Sequence, residues 1–335
     1  MRRTEPWLAA ALDPALAVPL ATPVLLVLAG LVARPDVERT VVDCLVLMSV
    51  VVALQLFSGS SGVISVCHVA FVQLGAYVSA LSAMPEQRRE VMLPDLPSGL
   101  AHVRVGLFWS YLLAALAAAV LALVAGPLLM RLSGLQSAIA TFALLLATQT
   151  VIENWSAVTG GPGALIGVGT STTPVLAGGL VVVAVLVTHA FARSRYGLRL
   201  RATREDEVAA RAAGIDVERL RLLAFVVSAA LAGAAGALYG HRLGTLNPDD
   251  FGLRLTFFLL AMLIVGGLRS LTGAVVGCVV VTALGQALLA VENGVRWGPV
   301  GLQGPPGLRE LGLAALLVVI LLVRPAGLVG GRVRE

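Results

Sequence analysis

Polar residues along this chain are few and clumped, and the stretches between them are almost wholly apolar. Runs of roughly 17 to 25 apolar residues, the length that crosses a bilayer as helix, recur near 15–33, 40–57, 63–84, 105–130, 135–153, 175–192, 222–240, 254–268, 270–291 and 308–323. Gly, Pro and Arg separate them, and polarity does not alternate within them, so helices fit and a lipid-facing β-barrel does not. The pattern predicts an all-α, polytopic transmembrane bundle of about ten segments. The range is eight to ten, because 255–291 reads either as two tightly joined spans or as one span and a re-entrant piece.

Composition strengthens this reading. The 335 residues are 58% hydrophobic and 13% charged, with a mean hydropathy of +0.92, more apolar surface than a soluble core can hide. Arg2 and Arg3 precede the first run, but Pro19 and Pro23 interrupt it and no small-x-small cleavage site follows, so a retained first span is expected. Cys44, Cys67 and Cys278 lie in apolar runs at unrelated spacings, which suits neither a disulfide framework nor a zinc site. All 24 basic residues are arginine. Without lysine there is no Walker A loop, so any ATP that drives this protein is bound by another chain and no cofactor is expected on this one.

One segment departs from the apolar rule. Residues 193–221 hold 8 of the arginines and 5 of the 19 acidic residues. With this loop in the cytoplasm and ten spans, both termini face the cytoplasm and 15 arginines lie on that side against 9 on the other, as the positive-inside rule favours. Within it, Thr203 is placed to cap a helix from Arg204 to Ala213. Glu205, Asp206 and Glu207 sit in its first turn, Glu207 and Arg211 form an i, i+4 pair, and Gly214 is its stop. Its small apolar side is Val208, Ala209 and Ala212. By pattern alone this is either a solvated linker or a helix that lies in a groove on another protein.

The stretch "RSRYGLRLRATREDEVAARAAGIDVERLRLLAFVVSAALAGAAGALYG" resembles the cytoplasmic loop and following span of the LivM-type permeases, membrane subunits of ABC importers for branched-chain amino acids. "GSSGVISVCHVAFVQLGAYVSA", "LSGLQSAIATFALLLATQTVIENWSAVTGGPGALIGV", "LLAMLIVGGLRSLTGAVVG" and "RPAGLVG" resemble further blocks of that family in the same order, over roughly 40–330. The resemblance implies one permease domain over 1–335, multi-pass in a bacterial inner membrane. Its 193–221 loop would couple to an ATPase through Arg204, Glu205, Glu207, Val208, Ala209, Arg211, Ala212 and Gly214. It further implies two ATPase chains, a second permease chain and an extracytoplasmic binding protein as partners, the lipid bilayer as surroundings and no nucleic acid. Two departures stand out: Cys67 where a glycine usually precedes the histidine, and Arg269 where a glycine is usual.

Other residues are candidates from their own chemistry. Gly59, Ser60, Ser61 and Gly62 make either a tight turn or a helix break lining a pathway. His68, an ionisable group in an apolar run, either serves transport or locks two helices together. Asp43 and Gln55 are similar cases. Glu153, Asn154, Thr159, Gly160 and Gly161 form a polar outer mouth or an interfacial loop. Ala232, Gly236 and Gly240, like Gly273 and Gly277, recur every four residues, as close helix packing requires.

No nucleophile–base pair or metal-ligand cluster is present, so an enzyme is not expected. Three functions remain: a permease for branched-chain or related amino acids, the same machinery for urea, an amide, an aromatic acid or a sugar, and a stand-alone secondary carrier or channel.

Overall fold

The computed structural model describes residues 14–97, 99, 104–297, 300–302 and 304–329. Arg2, Arg3, Arg332 and Arg334, on which part of the orientation rests, and the Gly330 that ends the last family-like block lie outside them.

The described chain is predominantly α-helical. Six helices are long and apolar enough to cross a membrane: α2 (Pro35–Ser61), α5 (Leu107–Leu129), α6 (Gly134–Asn154), α8 (Pro174–Arg193), α11 (Val217–Leu243) and α13 (Leu271–Asn293). Four shorter apolar helices, α1 (Pro14–Val32), α3 (His68–Ala83), α12 (Leu253–Gly266) and α14 (Leu308–Val323), occupy the remaining predicted segments. The 255–291 region holds two helices, α12 of 14 residues and α13 of 23, joined by a short turn. Short helices α4 (Glu86–Met92), α7 (Ser156–Thr159), α9 (Arg195–Glu205) and α10 (Glu207–Ala212) lie in the connections. So do two antiparallel pairs, β1 (Leu165–Ile166) with β2 (Thr245–Leu246) and β3 (Val295–Trp297) with β4 (Val300–Leu302).

The centre of the bundle is α2. Pro35 starts it with a preset φ and no N–H to leave unpaired, Asp36 and Glu38 stand in its first turn, and Gly62 ends it at φ +75°. From Val41 to Ser61 nearly every side chain is buried, so this helix touches protein on all sides and needs no polar face. It packs on α8, α11 and α13. The turn or break expected from Gly59 begins later: Gly59, Ser60 and Ser61 are the last turn of this helix, and the irregular stretch joining it to the next is 62–67.

Small residues set the helix spacing. A Cβ on Gly236 would overlap the Val72 carbonyl oxygen of α3, and one on Gly75 would overlap the Gly233 carbonyl of α11. Gly240 faces Ala76, and Ala232 is fully buried on the same helix. On α5, Ser110, Ala114, Ala118, Ala122 and Gly126 are buried at four-residue spacing, with Gly233 of α11 set against Ala114 and Ala118. Gly277 lies against Met262 and Gly273 against Gly266, so α12 and α13 form a tight hairpin. The tail then pins this corner: Leu328 N–H donates to Val265 O (2.9 Å) and Val329 N–H to Gly266 O (3.1 Å). Backbone approach of this kind makes dispersion the glue where lipid is as apolar as the side chains.

Gly236→Leu is expected to cost at least about 1–3 kcal/mol through overpacking, because the overlapping atom is main chain and cannot swing aside. The check is the thermal midpoint of the purified chain in detergent, with Gly179→Leu, where nothing lies within 4 Å, as the unperturbed control.

Candidate functional site: the charged loop and the end of the central helix

The charged loop folds as two helices, a correction to the single helix expected from Arg204 to Ala213. Arg204 and Glu205 end α9, Asp206 is extended at φ −149°, and α10 runs over Glu207–Ala212. Thr203 is not a cap: it is buried inside α9 and its hydroxyl donates to Leu200 O (2.7 Å). Asp206 caps instead, accepting from Ala209 N–H (2.9 Å). The stop is as the sequence implied. Gly214 has φ +78°, and the pair of bonds Gly214 N–H to Arg211 O and Ile215 N–H to Ala210 O closes the helix in a Schellman arrangement.

Six residues make too short a helix to persist alone, and an ion triad fixes it to the bundle. Glu207 accepts from Arg211 on its own helix (2.8 Å) and from Arg221 in the first turns of α11 (2.8 Å), whose side chain is 5% exposed. Burial pushes the Glu207 carboxyl upward, but the hydrogen bonds and positive charges of Arg211 and Arg221 outweigh it and hold it below the usual carboxylate range. Outward from this clamp, Val208 is 79% exposed, and Ala209 and Ala212 are exposed beside it.

Arg204 turns the other way. Its Nη1 donates to the Gly59 carbonyl oxygen (2.6 Å), one of the last carbonyls of α2, and its stem lies over Gly62, where a Cβ would stand 2.5 Å from its Cγ. Glu205 accepts from Arg204 Nε and Nη2 (3.1 and 2.7 Å), and that hydrogen bond holds the exposed Glu205 carboxyl low. A guanidinium on the C-terminal carbonyls of a helix satisfies orphan acceptors and meets the negative end of its dipole. Leu268, from the α12–α13 turn, reaches the same spot: its carbonyl would stand 2.6 Å from a Cβ on Gly59. Arg269 is exposed in that turn, and its positive charge acts on Glu205. Gly62, the loop, the α12–α13 turn and, through Gly327 against Gly267, the tail thus meet at one end of the central helix.

Beyond Gly62 the chain is irregular to Cys67. Ser61 Oγ donates back to Phe57 O (2.7 Å) and accepts from Val63 N–H (3.2 Å). Cys67 is fully buried with its Sγ 3.3 Å from Ser65 Oγ. His68 opens α3, fully enclosed: Ser228 donates its hydroxyl proton to Phe225 O and so accepts from His68 Nε2 (3.0 Å), leaving Nδ1 to accept from Ser65 Oγ (2.8 Å). Phe57, Phe71 and Phe225 surround its ring at 5.8–6.1 Å. Its Nε2 bond to Ser228 joins α3 to α11.

At the other end of the bundle, Thr159 is buried and donates to Ile152 O (2.6 Å), and Gly160 and Gly161 both take positive φ in the turn behind it. Asp43 finds a partner there that sequence spacing did not show: Arg242 Nη2 donates to its Oδ2 (3.0 Å), with Nε 2.9 Å from Oδ1. These candidate mouth residues are far along the chain and the bundle axis from Gly59 and Gly62, so the predicted pathway residues form two groups and not one site. The small-residue stripe of α5 was missed although its four-residue spacing was legible. The Arg204–Gly59 bond and the Asp43–Arg242 pair carry no signal at 145 and 199 residues apart.

Buried glycine seams, six membrane-length helices and a charged loop tied to the central one are the marks of a multi-pass membrane protein. The profile of the family described as branched-chain amino acid transport system / permease component matches residues 37–323, and the chain belongs to that family. It is 32% identical over 149 residues to the high-affinity branched-chain amino acid transport system permease protein LivM of Escherichia coli K12. It is 34% identical over 141 residues to LivH of Salmonella typhimurium and 33% over 145 residues to BraD of Pseudomonas aeruginosa. These matches cover 41–44% of this chain and 32%, 40% and 43% of the respective relatives, so it spans well under half of their length. No solved structure matches it.

The Glu207 triad makes the loop acid-sensitive. A carboxyl whose folded pKa is depressed contributes stability above its ordinary value, and that contribution is lost as pH falls through the folded value. Amide exchange across 207–215 is therefore expected to accelerate as pH is lowered below the usual carboxylate range, beyond the intrinsic pH dependence of exchange. Glu207→Gln should show the faster, intrinsic-only profile already at neutral pH.

Proposed function

We propose that this chain is a permease subunit of an ATP-driven importer for branched-chain or related amino acids in a bacterial inner membrane, crossing it ten times with both termini in the cytoplasm. Family membership supports the transporter class, and the relatives' printed function suggests the substrate. Two ATPase chains, a second permease chain and an extracytoplasmic binding protein complete the assembly. ATP binds only on the ATPases, and this chain is not itself an enzyme.

The observation that carries the coupling role is the division of labour in the loop. The Val208, Ala209 and Ala212 face of α10 is bare, whereas Arg204 one turn earlier holds the end of the most buried helix in the protein. A displaced α10 would pull α9, and Arg204 would carry that pull to Gly59 and into the irregular 62–67 stretch. Arg204 and Glu205 accordingly belong to the transmission inside the permease, and Val208, Ala209, Ala212 and Arg211 to the docking face. For ATP to drive accumulation, substrate affinity must differ between the two states so linked.

Ten crossings are supported by which connections meet. Residues 59–62, 204, 267–268 and 327–329 converge at one end. At the other, Arg88 donates to Gly167 O (2.8 Å), β1 pairs with β2, and Asp43 meets Arg242. Consecutive helices from α1 to α14, leaving out the short connecting ones, then alternate in direction.

The two halves of the loop are separable by mutation. Val208→Asp is expected to leave the chain in the membrane fraction but abolish co-purification of an ATPase subunit. Arg204→Ala is expected to keep that subunit and its ATP hydrolysis while cutting substrate uptake per ATP. Equal loss of ATPase binding in both variants would contradict the assignment.

A further inference from the structure

Helix α3 carries polar groups on two faces, and only one face is satisfied. Toward α5 and α11 every polar side chain has a partner: His68 with Ser228, and Ser79 with Ser110 (2.9 Å) and His241 (3.0 Å). On that side Val72, Gly75 and Ala76 lie against the α11 glycines. The opposite face presents Gln73 and Tyr77, four residues apart and so one above the other. Gln73 is 0% exposed with neither amide atom hydrogen-bonded, and the Tyr77 hydroxyl is buried and equally unpartnered. Three unpaired polar atoms in an apolar interior are a standing cost. The chain contains ample Leu and Phe that would fill the same volume without it.

The surroundings of that face form a line. At its inner end, Val66 N–H donates to Thr141 Oγ1 of α6 (3.3 Å), beside the irregular 62–67 stretch. Counting helical rise from there brings Gln73 about level with Thr148 and Gln149 of α6. The Gln149 amide lies 3.7–3.9 Å from where a Cβ on Gly252 would stand. At its outer end the Tyr77 ring is 6.3 Å from that of Phe251, Asp250 and Glu153 act on it electrostatically, and Thr159 closes over Ile152. The α3–α6 seam thus connects the candidate outer mouth to the irregular segment that Arg204 adjoins. Gln73 and Tyr77 are its enclosed polar middle.

We propose that Gln73 and Tyr77 are the seat for the polar head of the transported solute, on a pathway that runs along this seam and is closed in the present conformation. The Gln73 Nε2 and the Tyr77 hydroxyl would donate to a carboxylate, and Gln73 Oε1 would accept from an ammonium. Two uncharged side chains suit a zwitterion with no net charge, since a net ion in this apolar interior would need a countercharge. The assignment of the pathway rests on the permease reading, and the choice of an amino acid as solute rests on the substrate part of it.

The test has a structural arm and a solute arm. In the full chain with Cys44, Cys67 and Cys278 replaced by alanine, in membrane vesicles holding the assembled transporter, Gln73→Cys is expected to react with a small charged methanethiosulfonate when ATP is cycled. Val72→Cys, on the α11 face, should stay inert. Equal reactivity at the two positions would overturn the pathway. In the native background, Gln73→Leu and Tyr77→Phe should keep or raise the thermal midpoint. They should also lower leucine uptake at least about tenfold, the worth of one hydrogen bond to a charged group. Lowered stability with uptake per folded molecule unchanged, or neither changed, would show a structural polar pair or a buried water only and overturn the proposal. State-dependent labelling of Gln73→Cys that leucine does not slow would leave the pathway standing and remove the amino-acid reading.

Discussion

The whole arrangement depends on one rule of the apolar interior: a backbone carbonyl or amide there must find a partner inside the protein. The central helix α2 obeys it along its length by its own ladder and fails only at its end, where the last carbonyls are orphaned. Arg204 meets that need at Gly59 with a full positive charge. A capping interaction therefore doubles as the tie between a water-exposed loop and the most enclosed helix of the bundle. Because Gly62 turns at positive φ with the Arg204 stem over it, neither residue can move far alone.

Around that axis, the packing trades side-chain volume for closeness. The glycines of α11 meet the backbones of α3 and α5, and the α12–α13 hairpin closes glycine to glycine. Contacts this close leave little freedom to slide, so relative motion is concentrated where helices are irregular or held by ions. Those places are the 62–67 stretch, the extended Asp206 and the Glu207 triad. All lie at or near the end of the bundle where the charged loop sits, which is where a pull delivered to α10 would be converted into a change in the bundle.

How far the site was legible differs residue by residue. The stop at Gly214 and the Glu207–Arg211 pair follow from local rules and are present as read. The helix start was misplaced by three residues because Thr203 and Asp206 are both good caps. Residues 195–205 form a helix of their own, so the second cap is used. The glycine–serine run at 59–62 suggests a turn or a break because such residues are poor helix formers. Burial on every side of α2 overrode that propensity until Gly62. His68 could be flagged as unusual but not assigned, since its partner Ser228 is 160 residues away.

The sequence alone determined the class of protein, the position of its apolar segments, the charged loop and the spacing of its small-residue seams. These follow from composition and short-range periodicity, which act through the bilayer and the helix repeat. Only the tertiary structure decided which helix is central, that Arg204 faces inward while Val208 faces out, and that Asp43 pairs with Arg242. It also separated the paired polar face of α3 from the unpaired one. Those choices rest on contacts between segments far apart in the chain, and one-dimensional periodicity shows which face of a helix is polar without saying what stands opposite it.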